Sequence, residues 1–266
     1  MKRVLASKIS WIAPPSSELD LAHENAAAHL LSELHASDSI VMLSAVTRDK
    51  GRDTATLVSN LKMMEAVTSA VSKKGCRHLV YISSDAVYDP AAELISDDTL
   101  PSPRDPYGAM HLARELMARS LPGVPLLVLR PTLVYGRGNT HNSYGINRFC
   151  RSVREDRKIA LFGDGEELRD HIHVDDVADL IFRCLLAGVT GTFNLVTGKS
   201  HTFHQIAQLI AEQAQIPVKL ESVLRHGAIT HRRYVPTRLL DLFTDFSCTP
   251  VLTGIRDSLN DNSESP

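Results

Sequence analysis

Two short segments hold the side chains best suited to chemistry. One is Ser83-Ser84-Asp85-Ala86-Val87-Tyr88, which follows an apolar run; the other is Tyr107-Gly108-Ala109-Met110-His111, which opens a helical pattern. A hydroxyl at the carboxyl end of a strand and a tyrosine on the next helix can converge over one ligand. A phenol ionises near pH ~10 in water, so it exchanges a proton with a substrate alcohol or carbonyl only where positive charge lowers that value. Residues 107 and 111 are one helical turn apart and share a face. The side chain at 111 therefore sits where a second contact to cofactor or proton is needed.

The elements that must position these residues are legible as an alternation. Ile9–Ala13 reads as a strand ended by Pro14-Pro15, Ala22–Leu34 as a helix, and Ser39–Ala45 as a buried strand. Thr54–Ser72 reads as a long helix carrying Leu57, Leu61, Met64 and Val67. His78–Ser83 is a strand, Tyr107–Ser120 a helix, and Val124–Leu129 a strand stopped by Arg130-Pro131. Near-continuous apolar strands between helices predict a parallel sheet covered on both faces, with ligands beyond the strands' carboxyl ends. After Pro131 the texture changes. Residues 135–145 read as loop, Phe162–Glu167 as a tight turn and Val174–Ala187 as a helix started by Asp175-Asp176. Gly191–Val196 reads as a strand, and Thr202–Gln213 as a helix with Thr202 as cap.

Composition narrows the partners. The 266 residues carry 29 Lys+Arg against 31 Asp+Glu, a net charge of -2, which argues for no nucleic-acid or anionic-membrane partner. Cys76, Cys150, Cys184 and Cys248 are scattered, neither a disulfide framework nor a zinc-finger pattern. Lys8 interrupts the N-terminal apolar run before it forms a signal-peptide core. No stretch approaches the ~18 apolar residues of a membrane span, so the expectation is a cytoplasmic protein. Of 14 glycines, none precedes Gly51.

Taken in order, the motifs resemble an extended short-chain dehydrogenase/reductase of the NAD-dependent epimerase/dehydratase family. Asp20-Leu21 resembles that family's adenine-contacting pair, Leu43-Ser44-Ala45 its strand-end segment beside the cofactor, and Asn60 its helix asparagine. Ser84 and Tyr107 match the catalytic Ser/Thr and Tyr. Arg130-Pro131-Thr132 with Val134-Tyr135-Gly136 resembles the segment touching the nicotinamide side. Gly163-Asp164-Gly165 and Arg169–Asp176 resemble the block whose arginine contacts a nucleotide-sugar phosphate, and Phe193-Asn194 with Thr197-Gly198 a later piece.

The resemblance implies a Rossmann-like, doubly wound parallel sheet with a small C-terminal substrate lobe. Residues 1–135 plus parts of 170–200 would form the nucleotide-binding domain. Residues 136–170 and 200–255 would form the lobe, and 256–266 a disordered tail. It implies NAD or NADP as cofactor, a nucleotide-sugar substrate, and a homodimer through the two long helices. Ser84, Tyr107 and His111 would be catalytic. Asp20, Leu21, Leu43, Ser44, Ala45, Asn60, Pro131 and Thr132 would hold the cofactor, together with Tyr107 and His111. Asp85 and Arg169 would hold substrate; no metal is implied.

Two departures qualify this. The opening strand-turn-helix with its glycine-rich pyrophosphate loop is not present before Asp20, so a fold truncated at its N-terminus, or a start recorded too late, is the expectation. The family's Tyr-x-x-x-Lys also reads Tyr107-x-x-x-His111; histidine is shorter and mostly neutral at pH 7. Asp85 is followed by Ala86, not by a glutamate base, which points away from 4,6-dehydration toward a reductase or epimerase.

Plainer readings stand beside these. Ser83 and Ser84 can be a polar strand end, Tyr107 a helix-start aromatic after Pro106, and His111 a helix-surface residue. His171 and His173 lack a third metal ligand fixed by spacing. His231-Arg232-Arg233 can be a phosphate contact or a solvated loop, and Met63-Met64 core packing. A family member that binds a nucleotide sugar or a protein partner without turnover remains the competing function.

Overall fold

The computed structural model describes residues 10–138 and 144–260. In chain order its elements are α1 (Ala26–Glu33), β1 (Ser39–Met42), α2 (Thr54–Lys74), β2 (His78–Ile82), β3 (Leu94–Ile95) and α3 (Pro106–Arg119). Then come β4 (Leu126–Pro131), β5 (Leu133–Tyr135), α4 (Ile146–Asp156), β6 (Lys158–Phe162), β7 (Leu168–His173) and α5 (Val174–Ala187). The last are β8 (Gly191–Leu195), β9 (Ser200–Thr202), α6 (Phe203–Gln213), β10 (Lys219–Val223), β11 (Arg233–Tyr234) and α7 (Val251–Leu259). A 3-10 turn occupies Asp85–Val87. The chain divides into two compact units. The first is 1–89, 100–130 and 178–194; the second is 90–99, 131–177 and 195–266.

The first unit holds a sheet in the order β1-β2-β4-β8. β1 and β2 run parallel with Ser39 opposite His78, and β2 and β4 run parallel with Leu79 opposite Leu126. Parallel neighbours need a crossover, and α2 and α3 provide one each. Leu79, Val80 and Tyr81 of β2 and Leu127, Val128 and Leu129 of β4 are fully buried, which is why these strands read as unbroken apolar runs. Tyr81, Val128 and Met42 share a core with Met64, Val67 and Val71 of α2 and Ala118 of α3. The α/β class and parallel sheet expected from the alternation are what the chain adopts.

Local chemistry sets the helix limits. Asp53 caps α2 by accepting from Thr56 N at 2.8 Å, and Gly75, at φ +77°, ends it. Thr202 and Gln205 form a reciprocal capping box on α6.

In the second unit, β5, β7 and β9 form a three-stranded sheet, β5–β7 parallel and β7–β9 antiparallel. β6 pairs with β10 and β3 with β11, both parallel. Its core gathers Tyr135, Ile146, Phe149, Val153, Phe203 and Ile206. On α4 the buried positions 146, 149, 150 and 153 follow helical spacing.

Several expectations need correcting. Residues 10–15, within the expected Ile9–Ala13 strand and its proline stop, have no regular structure; Pro14 and Pro15 remove two ladder donors and no described strand pairs there. The first helix starts at Ala26 rather than Ala22, because the Asp20 carboxylate accepts from Ala22 N at 2.9 Å and its carbonyl from His23 N, holding a turn. β1 ends at Met42, short of Ala45. β4 runs through Arg130-Pro131 instead of stopping before them. The region read as loop, 135–145, begins on Tyr135, the last residue of β5. Residues 256–259, expected in the tail, finish α7, where Ile255 and Ser258 are buried. Residues 139–143 of the expected loop, 1–9 at the N-terminus and 261–266 of the expected tail lie outside the described residues.

Candidate active site

The site grows from the start of α3. Asp105 caps the helix, its carboxylate accepting from Gly108 N at 2.9 Å, and Pro106 takes the first helical position, where a missing N–H costs nothing. Tyr107 follows in the first turn. Gly108 then lets the helix touch the turn after β2: a Cβ there would lie 2.1 Å from the Ala86 carbonyl oxygen. Glycine at 108 is what lets α3 set Tyr107 beside the Ser84–Ala86 backbone.

The two serines differ. Ser83 is buried and donates to Glu115 Oε1 at 2.7 Å. Ser84 is half-buried and caps the 3-10 turn, its oxygen accepting from Ala86 N at 3.1 Å. That bond uses a lone pair and leaves the Ser84 hydroxyl hydrogen able to donate.

Tyr107 lines a cavity of 210 Å³ together with Arg48, Arg52, Thr56, Asn60 and Asp105. The Arg48 guanidinium lies 5.0 Å from the centre of the Tyr107 ring and is ion-paired with Asp105. Burial raises the Tyr107 pKa; Arg48 pulls it down, Asp85 pushes it up, Arg114 pulls it down and Asp49 pushes it up, with a net rise. The phenol is therefore a protonated group at neutral pH.

His111 is not on the helix surface. It is 2% exposed, stacks edge-on against Tyr107 with 4.7 Å between ring centres, and shares a 2.7 Å hydrogen bond between Nδ1 and the Tyr81 hydroxyl. Burial, then Arg114 and Arg48, push its pKa down to about 3, so the ring is neutral. Burial also holds the Tyr81 phenol protonated, so this bond joins two uncharged groups, either of which can donate. That Nε2 is buried without a partner among the described residues.

Two features of α3 escaped the sequence reading. Arg114, seven residues after Tyr107, is 0% exposed; it donates to the Ser44 carbonyl at 2.8 Å and lies 5.1 Å from the centre of the Tyr81 ring. Glu115 joins a buried network. Arg130 grips both its oxygens, at 2.9 and 2.7 Å, and also donates to the Tyr88 hydroxyl at 3.0 Å, while Tyr88 donates to Asn194 Oδ1 at 2.7 Å. This network ties α3 to β4 and β8 and so holds Tyr107 and His111 in register. The Tyr-x-x-x-His-x-x-Arg-Glu spacing was the available signal: positions 107, 111 and 114 share one face.

The other candidates are placed as follows. Asn60 is buried and holds the loop after β1: its Oδ1 accepts from Val46 N at 2.9 Å and its Nδ2 donates to the Val46 and Thr56 carbonyls. Leu43 is 53% exposed, Ser44 is exposed and Ala45 half-buried, all beyond the carboxyl end of β1. Asp20 is exposed in its turn, and Leu21 packs partly against the core, so neither side chain is gathered with Tyr107 around the cavity. Asp85 lies close enough to act on the Tyr107 phenol.

Pro131, Thr132 and Arg169 belong to the second unit. The Thr132 hydroxyl donates to the Asp170 carbonyl at 3.1 Å. Arg169 donates to the Leu168 carbonyl and to both oxygens of Thr230, fixing that segment. His231 accepts from Leu168 N and Arg232 N donates to the Leu168 carbonyl, so this basic run is built into the backbone framework. Asp170 accepts from Thr197 N and its hydroxyl, and burial raises its pKa to about 6. His171 and His173 are buried against Tyr135, and among the described residues no three His, Cys, Asp or Glu side chains gather as metal ligands. Met64 is fully buried core. No described helix is long and apolar enough to cross a membrane.

Known proteins resemble this chain in sequence and in fold. The chain is 33% identical over 145 residues to a dTDP-L-rhamnose 4-epimerase of Burkholderia thailandensis, covering 51% of this chain and 40% of that protein. It is 32% identical over 172 residues to a UDP-glucose 4-epimerase of Mycolicibacterium smegmatis, covering 62% and 54%. The chain thus spans about half the length of the curated relatives it matches. Among solved structures, RMD from Pseudomonas aeruginosa complexed with NADPH superposes with a TM-score of 0.84 at 25% identity, over 98% of this chain and 92% of that one. Residues 3–196 match the NAD dependent epimerase/dehydratase family, and with the sheet, the Ser84 turn and the Tyr107 helix in the matched stretch, the chain belongs to that family.

Proposed function

We propose that the chain carries the nicotinamide-side chemistry of an NAD(P)-dependent epimerase or reductase acting on a nucleotide-linked sugar. The observation that supports this reading is the contact between Gly108 and the Ala86 carbonyl, which packs the helix turn carrying the protonated Tyr107 phenol against the 3-10 turn that Ser84 caps. In the reducing direction Ser84 donates a hydrogen bond to the sugar's carbonyl oxygen. Tyr107 transfers its proton to that oxygen as the carbon is reduced, and in the oxidising direction it takes the proton back. The Arg48 guanidinium lies over the Tyr107 ring and helps to hold it in place.

The residues present fit the nicotinamide-ribose end of the cofactor. His111 Nε2 is buried without a partner among the described residues; a ribose hydroxyl, which both donates and accepts, satisfies either tautomer, and the Asn60-held loop at Leu43–Ala45 lies beyond the strand end where such a ligand sits. Bound NAD or NADP would supply hydride transfer. For the pyrophosphate end the 266 residues offer no glycine before Gly51. Asp85 and Arg169 are the proposed sugar and phosphate contacts, and residues after Pro131 the proposed substrate lobe. A homodimer through α2 and α3 belongs to the same reading.

The neutral His111 favours a second reading, binding without turnover. Titrating the full chain with NADH and NADPH, followed by nicotinamide fluorescence, tests the first. Binding of either supports it; absence of binding of both at millimolar concentration overturns it.

A further inference from the structure

Tyr107 needs positive charge to give up and retake a proton, and His111 brings none. Three arginines remain, of which Arg52 lines the cavity but is exposed to solvent and donates from Nε to the Arg48 carbonyl at 3.0 Å. Arg48 lies over the ring, but it is half-exposed and its charge is balanced by Asp105, so solvent and the carboxylate both weaken its field at the phenol. Arg114 differs in each respect. It is fully buried, and among the described residues its guanidinium bonds the Ser44 carbonyl and the Met110 sulfur while lying against the Tyr81 ring. Its Nε has no partner, and among the described residues no carboxylate pairs with it. The neighbouring Glu115 is taken by Arg130.

A buried, unpaired guanidinium is expensive, and it cannot neutralise itself at physiological pH. It sits on the same face of α3 as Tyr107 and His111, at spacings of seven and three residues. Its guanidinium lies 5.1 Å from the centre of the Tyr81 ring, the Tyr81 hydroxyl bonds His111 at 2.7 Å, and the His111 ring meets that of Tyr107 at 4.7 Å, so the charge stands behind a continuous run of side chains that ends at Tyr107. Of the two tyrosines along this path, Tyr107 is the one that lines the cavity.

We propose that Arg114 is the positioning residue that supplies the fixed positive charge for the Tyr107 phenol, while His111 supplies an uncharged hydrogen-bonding group. Two jobs are thus divided between two side chains one turn apart. The inference rests on reading Tyr107 as the proton-transfer group, but it does not depend on cofactor binding.

The charges facing Tyr107 are Arg48, Asp49, Arg52 and Asp53 from the loop after β1, Asp85 from the turn after β2, Asp105 through its pair with Arg48, and Arg114 from α3, with Tyr81 on β2. A polyfluorinated tyrosine placed at position 107, which ionises nearer neutrality, lets fluorine NMR follow this one phenol across pH in the full chain. Arg114→Lys keeps the charge and should keep the ionisation midpoint close to that of the parent. Arg114→Met should move it up by about one pH unit or more, roughly tenfold less phenolate at a given pH. Because replacing a buried unpaired charge by an apolar group is often neutral or stabilising, the Met variant should fold, and Arg114→Gln serves as a second neutral variant. A midpoint unchanged in both neutral variants overturns the proposal. So does a midpoint that moves only in Arg48→Met, which would give the role to Arg48. Failure of nicotinamide binding would sink the oxidoreductase reading and leave this titration standing.

Discussion

The Gly108 backbone meets the Ala86 carbonyl so closely that a methyl group on Gly108 would lie 2.1 Å from that oxygen. No rotamer relieves this, because the obstacle is backbone. Gly108→Ala must push the first turn of α3 away from the Ser84–Ala86 turn. The expected loss is about 1–3 kcal/mol of stability, read by urea denaturation, with any turnover falling further than the stability change accounts for. A variant as stable and active as the parent would show that the contact positions nothing.

The buried Glu115–Arg130 pair should behave asymmetrically. Glu115→Ala leaves Arg130 buried and unpaired and should cost about 3–5 kcal/mol, whereas replacing both by apolar residues of similar volume should cost far less. A double-mutant cycle in urea measures this; additive losses would contradict the network as described.

Stability should fall in mild acid. His111 and His171 have folded pKa values near about 3, against about 6.5 in the unfolded chain, because both are buried neutral. Between those values the unfolded chain binds the extra protons, so the stabilisation is complete above pH ~6.5 and is lost as pH drops, by up to about 1.4 kcal/mol per pH unit for each ring. Asp170, raised to about 6, acts in the opposite sense between its unfolded value and pH ~6 and offsets part of the fall. His171→Phe, packed among Tyr135 and Phe203, should flatten the decline in melting temperature between pH 7 and 5. An unchanged slope would mean that His171 takes up its proton in the folded state.

How much of this was legible depends on how local each signal is. Asp105-Pro106 and Thr202 with Gln205 announce helix starts within four residues, and α3 and α6 begin where those caps say. β2 and β4 are buried on both faces, so their apolar runs needed no partner to be recognised. β6 and β10 were missed because each becomes a strand only by pairing with the other, far along the chain. At the site, the order of Ser84, Tyr107 and residue 111 was readable, but side-chain direction was not. Arg130 looked like a ligand contact and is instead held by Glu115. His111 looked evenly divided between surface and ribose, and its burial against Tyr81 depends on β2, thirty residues away. Arg114 reads as a solvated helix charge until the loop after β1 folds over it.

The central claim, that Tyr107 moves the proton, is tested most directly by comparing the full chain with Tyr107→Phe on a panel of UDP- and dTDP-linked hexoses with NADH or NADPH, following the sugars by NMR. The account predicts conversion of at least one sugar by the parent, a loss of roughly 10²-fold or more in Tyr107→Phe, and cofactor binding equal in both. Conversion by Tyr107→Phe at the parent's rate would contradict it.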